Sequence, residues 1–189
     1  MSSVWWDRIG GDAGPVEPIP DESDSRMNRA TSAIVLGGLV AGGCDLVYTV
    51  AFCGVQGVAP THILQSIAGG VLGPNSHQGG WASAILGIAL HFVIALTAAT
   101  IYDLASRKIT ILLSRAPLCG ALSGAVIYFF MRRVVLPLSA APPFKSTALS
   151  SWTDFAVHVF LIGLPIALIV RHYSLPPFQQ PQVDRQCTP

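Results

Sequence analysis

Charge is what this sequence has least of. Asp, Glu, Lys and Arg together make up 11% of its 189 residues, against roughly 25% in an ordinary globular domain. No formal charge stands between Asp45 and Asp103, a run of 57 residues (46–102). A soluble chain needs more than that to cover its surface, and 51% of the residues are apolar. The scarcity excludes a water-soluble fold and predicts an all-α, polytopic membrane protein. A net charge of only +1 supplies no basic face for nucleic acid. Cysteine is sparse as well. Cys44, Cys53, Cys119 and Cys187 include no CxxC pair, which excludes the usual zinc and dithiol motifs and predicts reduced, mostly buried thiols. The glycines of residues 67–80 are followed by no lysine, so they do not form a phosphate loop. No hydroxyl, thiol or histidine shows nucleophile–base spacing, and the expectation is a protein that is not an enzyme and carries no cofactor.

The charges that do occur are segregated. Residues 1–28 hold six acids against Arg8 and Arg26, whereas residues 30–172 hold three acids and seven bases. The first segment, rich in Gly and Pro, lacks the apolar surface that offsets ordering entropy. Residues 1–29 are therefore predicted to be a disordered acidic tail, residues 30–172 a membrane domain, and residues 173–189 a Pro/Gln-rich tail. The start has neither the basic region nor the short apolar stretch of a secretory signal.

A spanning helix needs about 20 mainly apolar residues. Four segments qualify: Thr31 to Gly54, Gly80 to Leu104, Pro117 to Leu138 and Thr153 to Val170. Pro165 predicts a kink in the last. Pro60 to Leu72 is apolar but too short to cross, and reads as an interfacial or re-entrant helix. Arg26, Arg29, Arg107, Lys108, Arg115 and Arg171 all fall at one end of the spans, which predicts both termini in the cytoplasm. Trp81 and Trp152 begin spans at the opposite end, where an aromatic belt belongs. Lipid gives helices no hydrophobic reason to associate, so small residues matter. Gly38/Gly42 and Gly120/Gly124 form GxxxG pairs, suited to packing within the bundle or to a homo-oligomer.

Ionisable groups inside a bilayer are costly, and each is a functional hypothesis. The candidate cluster is Asp45, His91, Arg132, Asp154 and His158. At a rise of about 1.5 Å per residue, Asp45 and Arg132 both lie roughly 20 Å along their helices from the basic end, which predicts an Asp45–Arg132 pair. Asp45 shares a face with Gly38 and Gly42, and His91 shares one with Ala84, Gly87, Ala95 and Ala98. Arg133 points away from the bundle and snorkels outward. Asp154 and His158, one turn apart, can pair directly. Such a set can fix helix register, move a proton or solute, or hold haem b or quinone between the histidines. Against haem, His91 and His158 differ in depth by several ångströms on this count, and neither helix carries a second histidine.

The strings Leu64-Gln65-Ser66-Ile67-Ala68, Leu90-His91-Phe92, Val134-Val135-Leu136-Pro137-Leu138 and Gly163-Leu164-Pro165-Ile166-Ala167-Leu168, with His158, resemble a group of uncharacterised small bacterial inner-membrane proteins. The likeness covers about residues 31–172 and is distantly similar to the YagU-type family, with four spans and histidines in the second and fourth. It implies an inner-membrane location and no catalytic residues. The first reading is thus a structural or accessory protein, alone with lipid, as a homo-oligomer or in a membrane complex. The alternative is a small transporter or channel using the polar cluster.

Overall fold

An apolar segment in lipid must satisfy its own backbone N–H and C=O groups, and a helix does so within one segment. The computed structural model describes residues 22–140 and 147–174, and no strand occurs among the described residues. In chain order the helices are α1 (Glu22–Gly54), α2 (Pro60–Leu72), α3 (Gly80–Lys108), the one-turn α4 (Ile111–Ser114), α5 (Ala116–Leu138) and α6 (Ala148–Ser174). Of these, α1, α3, α5 and α6 are long and apolar enough to cross a membrane. The expected all-α polytopic architecture is the one observed.

Several helices run past their hydropathic limits. Residues 22–29, expected in the tail, are the first turns of α1. A polar extension costs little once a long helix is nucleated, because each added residue gains a hydrogen bond. Similarly, α6 starts five residues before Thr153, where the Thr147 hydroxyl accepts a hydrogen bond from Ser150 N at 3.1 Å and caps the helix. The rest of the two expected tails, with Cys187, and the loop containing Lys145 lie outside the described residues.

The short helix α2 has the predicted bounds. Pro60 opens it, where a missing N–H does no harm, and Gly73 ends it with φ of 64°. It lies directly against α3. A Cβ on Gly87 would occupy the space taken by the Leu64 carbonyl. Gln65 Nε2 donates to Gly80 O at 2.9 Å, and Ala140 N donates to Gly70 O at 3.0 Å, so the end of α5 closes over α2.

Small residues set the order of the spans. Helix α1 touches α3 through Gly38, where a Cβ would lie 2.9 Å from Leu96 Cα, and through Gly42, which faces Ala95 and Phe92. Helix α6 packs on α1 with one face and carries α5 on another. There Gly120 and Gly124 leave room for the α6 backbone at Leu164 and Val159. Both GxxxG pairs are therefore used inside the chain, the first by α3 and the second by α6, rather than between copies.

Two turns are π-helical, Met131–Val135 and His158–Gly163, and each ends two residues before a proline, Pro137 and Pro165. Proline lacks the N–H of the regular ladder and crowds the carbonyl one turn back, and a widened turn accommodates both effects. The kink expected at Pro165 takes this form.

The basic end of the bundle is dry and tightly packed. Ala33, Ala41, Ala99, Ile166, Ala167 and Val170 are fully or almost fully buried together. Arg29 Nε donates to Tyr173 O at 2.9 Å, which places the start of α1 beside the end of α6. Asp103, only 3% exposed, accepts from Arg107 Nη2 at 2.6 Å and Nε at 3.0 Å. Arg107→Gln leaves that carboxylate buried without its cation, and we expect a loss of about 1–2 kcal/mol of stability. Arg107→Lys should restore part of it; denaturant unfolding in detergent measures both.

The cysteines differ from expectation. Cys44 is exposed and Cys53 and Cys119 are partly so, all three as free thiols. Cys44 faces outward, where lipid makes a weakly polar thiol inexpensive, and Cys119 Sγ donates to Ile111 O at 3.5 Å.

Candidate functional site

Glycine brings the polar groups together. Because Gly42 lets α3 approach α1 closely, His91 Nε2 reaches the Gly42 carbonyl at 2.9 Å. The carbonyl can only accept, so Nε2 carries the proton. Asp45, one turn further along α1, places Oδ2 3.9 Å from the same Nε2. That separation is too long for a hydrogen bond and short enough for charge attraction. Both side chains are largely buried, at 14% exposure for His91 and 17% for Asp45.

Helix α6 supplies the other half. At the first residue of its π turn, His158 Nδ1 lies 2.9 Å from Asp154 O and 3.2 Å from Asp154 Oδ1. Nδ1 is again a donor to a carbonyl, here with a carboxylate beside it. Asp45 lies within electrostatic range of His158, His91 and Asp154. The structure thus gathers Asp45, His91, Asp154 and His158 from α1, α3 and α6 around one carboxylate.

Among the described residues the ion contact of Asp45 is with His91, not with Arg132 as expected. Helix α5 packs on α6, so matching depth did not bring Arg132 to α1. Its guanidinium stands over the Tyr128 ring, 5.8 Å from the centroid and one turn back on the same helix, in cation–π contact. Arg133 is exposed, as expected from its helical position.

Tyr128 is the residue that sequence reasoning missed. Its ring meets His158 edge-on at 5.5 Å and Phe155 at 5.3 Å, and its hydroxyl donates to Ser151 O at 3.2 Å. It joins Arg132 to the cluster through an aromatic face. The available signal was its spacing, four residues before Arg132 on a helix.

Among the described residues no group of three or more His, Cys, Asp or Glu is placed to hold a metal ion. Comparison with family models, with curated proteins and with solved structures finds no match to this chain.

Proposed function

We propose that this multi-pass membrane protein is a non-catalytic structural or accessory component of the bacterial inner membrane, with both termini cytoplasmic, in which Asp45, His91, Asp154 and His158 tie three helices together. The observation that carries this reading is the closed basic half of the bundle. Next to the polar cluster, Ala41, Ala99, Ile166 and Ala167 are packed at 0–1% exposure. A proton or solute reaching Asp45 would meet that apolar plug. Within the cluster, one nitrogen of each imidazole already donates to a backbone carbonyl, and those bonds fix the rings rather than present them to a passing solute.

Location and orientation rest on the basic residues at the end shared by the start of α1, the end of α3 and the end of α6, and on Trp81 and Trp152 at the other. The resemblance to small bacterial inner-membrane proteins supports the same placement. Partners under this reading are the lipid bilayer and a further membrane subunit or a second copy, with no nucleic acid.

The transporter reading keeps one point in its favour: the Asp154 side chain is 40% exposed, so the cluster is not sealed on every side. Proteoliposomes containing the full chain separate the two. We expect proton and ion leak equal to that of protein-free vesicles. Flux above that level, abolished by Asp45→Asn in a variant that still unfolds cooperatively, would make the protein a transporter.

A further inference from the structure

We propose that Arg133 binds the phosphate of an anionic phospholipid in the leaflet that surrounds the C-terminal end of α5. The argument begins with the outward stripe of that helix. Leu118, Leu122, Val126, Phe129 and Phe130 are all more than half exposed and recur at three- and four-residue spacing. At about 100° per residue, Arg133 continues this stripe, and it too is exposed. A full positive charge therefore stands on a face otherwise built for acyl chains.

No group among the described residues neutralises it. Among the described residues Arg133 has no hydrogen-bond or ion-pair partner, while its neighbour Arg132 is turned over Tyr128. The sequence holds no Asp or Glu between Asp103 and Asp154, so α5 and its flanking loops offer no carboxylate. An uncompensated guanidinium facing hydrocarbon is costly, and its five N–H donors need acceptors.

Depth identifies the acceptor. Arg133 lies 17 residues beyond Ala116, roughly 25 Å along the helix, against a hydrocarbon thickness of about 30 Å. The guanidinium is thus within a side-chain length of the headgroups, where the phosphodiester is the concentrated negative charge. Its planar fork matches two phosphate oxygens. One turn further into the membrane, Phe129 lies 6.1 Å from Phe155, which meets Trp152 at 6.3 Å. These rings form an aromatic shelf for the upper acyl chains, with Trp152 itself exposed. A lipid without a compensating ammonium is favoured, because α5 carries no acidic side chain to receive one.

Native mass spectrometry of the full chain, purified in detergent and exposed to equal phosphatidylglycerol and phosphatidylcholine, tests this. The expected result is retention of phosphatidylglycerol over phosphatidylcholine by about tenfold. Arg133→Gln should remove the preference and Arg133→Lys should keep part of it. Equal retention by the wild-type chain and Arg133→Gln would overturn the proposal. Loss of the lipid adduct to millimolar inorganic phosphate would also overturn it, in favour of a free-anion site. If Arg133→Gln does not fold, a wild-type chain with no headgroup preference still refutes it.

Discussion

Gly163→Val is expected to prevent formation of the folded bundle or to destabilise it by at least about 3 kcal/mol, above the usual range for overpacking. The reason is that its neighbours are backbone. A Cβ at Gly163 would meet Gly120 O and Gly124 N, with Gly124 Cα 2.7 Å away. A flexible side chain could rotate aside, but a helix axis must translate. Gly163 also closes the π turn that begins at His158, so separating α5 from α6 displaces the cluster as well. Gly124→Val, which collides with the His158 carbonyl, should behave alike. Gly43→Ala is the control: nothing lies within 4 Å of a Cβ there, and the unfolding midpoint should not fall. Thermal and denaturant unfolding in detergent separates the three variants. A fully stable Gly163→Val would mean that α5 does not pack on α6 as described.

Asp45→Leu is the second large effect. It removes the carboxylate whose Oδ2 lies 3.9 Å from His91 Nε2 between α1 and α3, and puts an apolar side chain beside two imidazoles. Interhelical polar contacts in membranes contribute about 1–2 kcal/mol, and a loss of that order is expected. Asp45→Asn retains the shape and an acceptor oxygen and should cost less. His91→Leu removes the hydrogen bond to Gly42 O and part of the same charge contact, so its cost should overlap with that of Asp45→Leu.

How far the sequence was legible follows from which physical quantity each feature depends on. Span existence depends on apolar length alone, and α1, α3, α5 and α6 emerge from it directly. Helix α2 was readable to the residue because proline and glycine stand at its two ends. The inward faces were largely readable from periodicity, since Ala84, Gly87 and Ala95 on α3 are buried as expected beside a largely buried His91, with Ala98 half-buried. The order of helices was not. It depends on fits such as Gly38 under Leu96 and Gly163 against Gly120, which are three-dimensional and leave no linear trace. Depth matching therefore paired Asp45 with Arg132, although α5 packs on α6 and the ion contact of Asp45 is with His91. The π turn before Pro165 adds to this, because counting 100° per residue assumes an unbroken α-helix through His158.

The central claim is that Asp45 and His91 hold α1 against α3 as a structural tie. A double-mutant cycle measures that tie most directly: unfolding free energies of the wild type, Asp45→Asn, His91→Gln and the double variant in one detergent. The account predicts a coupling of about 0.5–2 kcal/mol, with the double variant costing less than the sum of the singles. Strict additivity, with each single variant as stable as the wild type, would contradict it and show that the pair is kept for something other than holding the bundle together.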